Sequence, residues 1–217
     1  MDIATSPASI IVFFITIGFS LYAMTGRTNI YDSWALSPWR LVHENKWHLT
    51  ITKGFIHADL MHLIFNMLTY YFFAFRLESI VGSINFLIIY FASLVLSDIS
   101  TIIKNKDNQG YRAVGASGAI AGVLFSYILF DPTSKLMMFP FPIGIPSPIF
   151  ALIYLAYCYF ASKKSMDEIN HEAHLWGALT GLIVTILLIP QSLEYFIEKV
   201  FWTFLYTFSS SGNDVDI

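Results

Sequence analysis

Long apolar stretches alternate with short polar ones along this 217-residue chain. A helix that crosses a bilayer needs about 20 mostly apolar residues, within a working range of about 17 to 25. Six stretches approach this pattern, and we predict a membrane-spanning helix in each. They run approximately over Ala8–Met24, Asp59–Leu77, Ile84–Ile103, Ser117–Phe130, Ile149–Ala161 and Ala173–Ile189.

The segments between these stretches are typical of membrane-surface and turn-forming regions. The first loop, residues 26–56, mixes tryptophans with basic and acidic side chains, which favours a position on the membrane rather than through it. Residues 104–110 are polar and rich in turn formers. The prolines in residues 140–148 exclude a continuous helix there, and residues 162–172 form a charged loop.

The C-terminal region has a different pattern. After Pro190, apolar side chains recur at helical spacing, with Glu194, Glu198 and Lys199 on the other side. This pattern predicts an amphipathic interfacial helix and a short polar tail over residues 191–217. A seventh span is the competing interpretation, which the charges in the first turn disfavour. We therefore predict an all-α polytopic membrane protein with one six-helix domain over residues 1–190.

Composition supports a place in the lipid bilayer. The chain is 56% hydrophobic and 12% charged, whereas soluble domains carry about 25% charged residues. Its net charge of −3 is small and no basic cluster stands out, so we predict no nucleic-acid partner. Cys158 is the only cysteine, which excludes an intramolecular disulfide and any multi-cysteine metal site.

A few polar side chains lie inside the predicted spans. A full charge at the membrane centre costs about 2.5 to 3.5 kcal/mol on insertion scales, so each polar group there needs a reason. His62 and Asn66 share one face of the second span, Ser117 begins the fourth, and His174 lies just inside the sixth. Asp98 is the remaining carboxylate at depth. An interhelical hydrogen bond could explain the presence of any one of these side chains. It does not explain why the two histidines, the asparagine and the serine all lie near the same membrane face.

Two pairs of glycines are spaced to bring two of these helices together. They are Gly118 with Gly122 on the fourth predicted helix, and Gly177 with Gly181 on the sixth. Such Gly-x-x-x-Gly faces let two backbones approach closely in lipid. If the faces meet on parallel helices, the serine and the histidine at the same ends of those helices come within hydrogen-bond reach.

This juxtaposition predicts nucleophilic chemistry. A neutral imidazole activates a serine because it takes the hydroxyl proton as the oxygen attacks, which makes Ser117 the candidate nucleophile and His174 the candidate general base. His62, Asn66 and the backbone N–H of Ser117 could donate to the developing oxyanion. Gly115 would keep the approach to the serine uncrowded. We predict no cofactor and no metal.

Three segments of the chain resemble the signature segments of the rhomboid intramembrane serine proteases, in the family's order. They are His62–Asn66 in the second predicted span, Gly115–Gly118 at the start of the fourth, and Ala173–Gly181 in the sixth. Phe55–Leu60 and Glu78–Gly82, on either side of the second span, are also similar to family members. The resemblance implies a six-helix rhomboid-like bundle.

The resemblance further implies Ser117 as nucleophile, His174 as base, and His62 and Asn66 near the oxyanion. It implies a transmembrane protein substrate, single-pass and cut in or near its membrane segment, and a location in the bacterial inner membrane. Two positions depart from the usual pattern. Ala121 stands where many members place an aromatic residue, and Trp47-His48 stands where many have Trp-Arg.

Several questions stay open at this level. Nine of the twelve Lys and Arg residues fall in the first, third and fifth loops, so the positive-inside rule puts the active-site face in the cytoplasm. Similar bacterial enzymes put that face outside. The physiological substrate and the oligomeric state are equally undetermined.

Two other functions are compatible with the sequence. The chain could be a proteolytically inactive rhomboid-like binder or chaperone of membrane proteins, although an intact serine and histidine argue against this. A metal-dependent protease or a metal transporter would use His57, His62, His171 and His174. His171-Glu172-Ala173-His174 is one residue short of the His-Glu-x-x-His motif, which disfavours the metal hypothesis.

Overall fold

The computed structural model describes residues 5–26, 29–138, 141–163 and 170–211, and nearly all of its regular structure is helical. The α-helices are α1 Pro7–Met24, α2 Ile30–Trp34, α3 Pro38–His43, α4 Leu49–Thr52, α5 Leu60–Leu96, α6 Ile99–Asn105, α7 Ser117–Phe130, α8 Ser147–Ala161, α9 His171–Leu188 and α10 Gln191–Ser211. A 3-10 turn, Lys53–Phe55, precedes α5. The predicted all-α fold class is confirmed.

All six predicted spans are helical. Among the described residues, three helical stretches are long and apolar enough to cross a membrane, namely Pro7–Met24, Leu60–Asn105 and His171–Leu188, and α7 and α8 are shorter apolar helices. Gly82 divides the long α5 into the second and third spans. Its φ of 79° and ψ of 160° lie outside the helical region, in a conformation that glycine adopts readily and other residues do not.

Two details differ from the predicted elements. The third span does not run unbroken to Ile103, because α5 ends at Leu96 and the shorter α6 begins at Ile99. The proline-rich region contains an antiparallel hairpin of strands β1, Lys135–Met138, and β2, Phe141–Pro146, which the sequence did not predict. Its prolines are compatible with an edge strand because one side of such a strand needs no N–H donors.

The C-terminal helix α10 forms where the amphipathic pattern predicts one. It is not among the described stretches that are apolar enough to cross a membrane, so its interfacial position stays a prediction. Parts of four predicted segments lie outside the described residues: residues 27–28 of the first loop, 139–140 of the proline-rich region, 164–169 of the charged loop and 212–217 of the polar tail.

Large apolar side chains cover much of the outer surface of the helices. Phe14 on α1, Leu152 on α8 and Leu187 on α9 are all exposed. An exposed apolar surface of this extent is expected of a protein surrounded by lipid. Together with the apolar helices, it identifies an integral membrane protein.

The helix α7 lies at the centre of the bundle, between α5 and α9. Every residue from Gly118 to Leu129 is buried, as expected for a helix that is apolar on all sides. Ser117, its first residue, is half-buried. The fold therefore holds this serine at the end of its most enclosed helix.

The buried Glu78 attaches α1 to the rest of the bundle. Its carboxylate accepts hydrogen bonds from the backbone N–H groups of Ala8, at 2.9 Å, and Ser9, at 2.6 Å, and from the hydroxyl of Ser83 at 2.6 Å. The first amides of a helix have no partner within the helix and carry a partial positive charge. A carboxylate therefore stabilises the start of α1.

A buried ion pair joins the first loop to the turn after α5. The ammonium of Lys53 lies 3.0 Å from a carboxylate oxygen of Asp98, and the two side chains are 5% and 1% exposed. The backbone carbonyl of Lys53 also accepts a hydrogen bond from the N–H of Gly115, at 2.9 Å. The charge of Lys53 thus compensates the buried carboxylate of Asp98. Its backbone carbonyl holds the loop that leads to Ser117.

Replacing Lys53 with methionine is expected to lower the free energy of unfolding by about 3 to 5 kcal/mol, because it leaves Asp98 buried and unpaired. Thermal unfolding in detergent measures the effect. The double variant Lys53→Met/Asp98→Leu should regain most of the loss, because neither buried charge remains.

Lys46→Met is the matched control, because Lys46 is an exposed lysine of the same loop and its loss should change stability by less than about 0.5 kcal/mol. Equal unfolding temperatures for Lys53→Met and Lys46→Met would contradict the importance of the buried pair.

Candidate active site

The helices α7 and α9 contact each other through their glycines. A Cβ atom on Gly118 would lie 3.3 Å from the carbonyl oxygen of Ala173, and one on Gly122 would lie 2.9 Å from that of Gly177. In the opposite direction, a Cβ atom on Gly177 or Gly181 would overlap the backbone of Gly118 or Gly122. Both contacts advance together along the chain, so the helices are parallel, as the sequence predicts.

Hydrogen bonds continue this packing further along the two helices. The hydroxyl of Ser126 donates to the carbonyl of Gly181 at 3.0 Å and accepts from the hydroxyl of Thr185 at 2.8 Å. Polar side chains on facing helices hold membrane helices in one register. The alignment of α7 and α9 is therefore fixed at several levels.

This register places Ser117 near the first turns of α9, where His174 lies. Gly118 contacts both the carbonyl of Ala173 and the backbone of Gly177, so Ser117, one residue before Gly118, lies within the stretch of α9 that contains His174. Both side chains are half-buried and lie at the N-terminal ends of their helices. The geometry brings a hydroxyl and an imidazole to the same end of a tight helix pair.

His62 lies against the loop that leads to Ser117. A Cβ atom on Gly115 would be 2.7 Å from Cε1 and 2.9 Å from Nε2 of the His62 ring. Gly115 also has a φ of 110°, which L side chains rarely adopt. Glycine is therefore required at this position by both the backbone and the imidazole.

His57, a residue outside the predicted dyad and oxyanion set, packs against the ring of His62. The two rings lie edge to face with centroids 4.9 Å apart, and Nδ1 of the fully buried His57 is 3.0 Å from the hydroxyl of Ser20. Burial lowers the pKa of His57 to about 3, and repulsion from His62 and Lys53 acts in the same direction. His57 is therefore neutral near pH 7. In the sequence, His57 is indicated only by the Phe55–Leu60 resemblance and by the disfavoured metal hypothesis.

Asn66 is buried one helical turn after His62. Its side-chain amide donates to the backbone carbonyl of His62 at 2.9 Å, and the N–H of His62 donates to the Asp59 carboxylate at 2.8 Å. Asn66 and Asp59 thus hold the backbone of His62 from both sides. This bond uses one of the two N–H groups of the Asn66 side-chain amide.

Ala121 offers no aromatic ring to pack against His174. Ala121 is buried in an apolar cluster with Phe125, Phe150 and other residues. The ring of His171 on the same helix lies beside that of His174, with centroids 6.1 Å apart and the rings nearly perpendicular. The ring of Tyr157 on α8 lies nearly perpendicular to that of His171, with centroids 5.3 Å apart.

Comparison with known proteins identifies related sequences over most of the chain. The sequence model of the Rhomboid domain matches residues 43–191. The YdcA protein of Bacillus subtilis is 32% identical over 150 residues, which cover 69% of this chain and 71% of that protein.

Two further relatives are more distant. The mitochondrial Rhomboid protein 1 of Saccharomyces cerevisiae is 27% identical over 179 residues, which cover 75% of this chain and 51% of that protein. The rhomboid protease GluP of Bacillus subtilis is 28% identical over 141 residues, which cover 65% of this chain and 26% of that protein. The matched region contains both glycine pairs, the serine and the four histidines of the site, and the chain belongs to the rhomboid family of membrane proteins.

Proposed function

We propose that the chain is an intramembrane serine endopeptidase that cleaves single-pass membrane proteins in or near their transmembrane segments. The observation that carries this proposal is the close parallel packing of α7 on α9 through their glycines, because Ser117 and His174 lie at the same end of that helix pair. Membership of a family that includes the named protease GluP supports it.

In the proposed reaction, the Ser117 hydroxyl attacks the carbonyl carbon of the scissile peptide bond, and neutral His174 accepts the hydroxyl proton. Collapse of the tetrahedral intermediate breaks the C–N bond, and His174 returns the proton to the leaving amine. Water then attacks the acyl-enzyme with the same assistance and releases the second product. Two side chains suffice for both proton transfers.

The negative charge that develops on the substrate oxygen needs hydrogen-bond donors already in place. We assign this role to the backbone N–H of Ser117, to the His62 ring and to the second N–H of the Asn66 side-chain amide. The N–H of Ser117 is among the first amides of α7, where the helix carries a partial positive charge. The ring of His62 is held between His57 and the backbone of Gly115, and Asn66 positions it through the His62 carbonyl.

The inactive binder is the weaker hypothesis. Under this hypothesis the chain would keep Ser117, His174 and the close glycine contact between their helices, although none of these would serve catalysis. Nothing in the described part of the site favours that function.

We place the enzyme in a bacterial plasma membrane, which its similarity to two Bacillus subtilis proteins supports.

Treating membrane fractions of its own cells with a fluorophosphonate is expected to label this chain at Ser117, in the plasma-membrane fraction. The purified His174→Ala variant is the control and should label far more slowly, because no base remains to activate the serine. An unlabelled wild-type chain contradicts the protease function, and label in another membrane contradicts only the location.

A further inference from the structure

A third group with metal-binding chemistry lies beside the proposed general base. Cys158 near the end of α8, and His171 and His174 in the first turns of α9, each offer one ligand atom, and these three atoms lie within 4.8 Å of one another. We propose that they form an inhibitory site for zinc or a similar thiolate-binding transition metal. Metal binding itself does not depend on the proposed protease function. The inhibition by the metal does rest on that function.

The donor set selects the class of metal. A thiolate with two imidazoles suits Zn²⁺ and related transition metals, whereas Mg²⁺ and Ca²⁺ prefer oxygen ligands. Three protein ligands leave one coordination position open in a tetrahedral site. The single cysteine of the chain is therefore sufficient, although it excludes a multi-cysteine site.

The ligands need only a small adjustment to bind the ion. With Zn–S near 2.3 Å and Zn–N near 2.0 Å, ligand atoms of a tetrahedral site are about 3.5 Å apart, so the three groups would close by about 1 Å. Ser147, Phe150 and Cys158 are the buried residues of α8. Because so little of α8 is enclosed by the bundle, rotation of side chains or a slight shift of α8 can provide this closure.

The surroundings hold the two histidines in place. The side chain of Asn170 accepts a hydrogen bond from the N–H of Ala173 at 3.0 Å and donates to the hydroxyl of Thr101 at 2.8 Å, which fixes the start of α9. Glu172, between the histidines, is bonded to Ser100 and Lys104. The carboxylate of Glu172 is therefore engaged with α6 and is not counted among the metal ligands.

The site differs from the four-histidine metal site that the sequence disfavours, and it would revise the expectation of no metal. His57 and His62 belong to no such three-ligand group in the part of the chain that the structure describes. Cys158 replaces them, because α8 packs on α9. The metal would therefore be a regulator that contacts the base rather than a catalytic ion.

Coordination would stop the reaction at its first step. The Cys158 thiol releases its proton to solvent when the metal binds, and a ring nitrogen of His174 donates its lone pair to the ion. That lone pair can then no longer accept the proton of Ser117. Binding also ties α8 to α9 across the site.

Metal binding is tested with Co²⁺ on the purified full-length chain in detergent. A sulfur-to-cobalt charge-transfer absorption is expected for the wild type and for Ser117→Ala, to be lost in Cys158→Ser and His171→Ala, and to be displaced by Zn²⁺. Absence of the band in the wild type overturns the inference, as does a band that persists in Cys158→Ser.

Inhibition is tested by cleavage of a model single-pass substrate. Zn²⁺ is expected to slow the wild type at least about tenfold, because a general base contributes about 10²- to 10⁴-fold, and a chelator should restore the rate. Cys158→Ser should cleave at the metal-free wild-type rate and resist Zn²⁺. Equal inhibition of both proteins overturns the proposal. A cobalt band in a chain without any cleavage instead contradicts the protease function and leaves the metal site standing.

Discussion

Replacing Ser117 with alanine is expected to slow cleavage of a single-pass substrate by at least about 1,000-fold, because losing the nucleophile of a hydrolytic pair costs several orders of magnitude. The alanine side chain fits without a clash, since it is smaller than serine. Product formation in liposomes measures the rate, and circular dichroism checks that the helices are retained. The loss should therefore appear in catalysis without a matching loss of structure.

Ser126→Ala is the matched control for this substitution. Ser126 lies further along α7 and its hydroxyl bonds Gly122 and Gly181, so its loss should cost about 1 kcal/mol of stability and little activity. The double variant Ser117→Ala/His174→Ala should be no slower than Ser117→Ala alone, since the two side chains act as a unit. Unchanged cleavage by Ser117→Ala, or equal losses in both serine variants, would contradict the assigned role of Ser117.

Replacing Gly177 with alanine is expected to lower the cleavage rate about 100-fold, because a displacement near 1 Å of reacting groups can cost that much. The added Cβ would overlap the carbonyl oxygen of Gly118 and lie 2.7 Å from its carbonyl carbon. The backbone cannot rotate away as a side chain could, so α9 must shift and carry His174 with it. Overpacking of this kind also costs about 1 to 3 kcal/mol of stability, which thermal unfolding measures.

Gly18→Ala separates this effect from the general effect of replacing glycine in a helix. Gly18 lies on α1, and a Cβ atom there would meet nothing within 4 Å. Because alanine favours the helix by about 1 kcal/mol over glycine, this variant should be as stable as the wild type or more so, and fully active. A Gly177→Ala protein as active as Gly18→Ala would show that close packing of α7 and α9 is unnecessary.

The sequence predicts best the features that depend on local patterns. The bounds of α7 are those of its apolar run, Ser117 to Phe130, and the two glycine pairs meet as their spacing indicates. These predictions succeed because each needs only the periodicity of a helix and the small size of glycine. The roles of Ser117 and His174 themselves stay predictions until the variants are measured.

Features that depend on contacts between distant segments could not be predicted in the same way. Lys53 belongs to a loop whose composition indicates the membrane surface, yet it is buried against Asp98. Cys158 is one apolar position among many on α8, and only the packing of α8 on α9 brings it to His171. Hydrophobic patterns identify which side chains avoid water, but not which of them meet.

The length of α7 determines the depth at which chemistry would take place. Its 14 residues extend about 21 Å, whereas the hydrocarbon core of a bilayer is about 30 Å thick. Asp131, which follows α7 and accepts a hydrogen bond from Tyr127 at 2.6 Å, is a charged group suited to one interface. Ser117 at the other end then lies about 9 Å below the opposite interface. Hydrolysis at that depth requires a water-filled entrance from one side of the membrane.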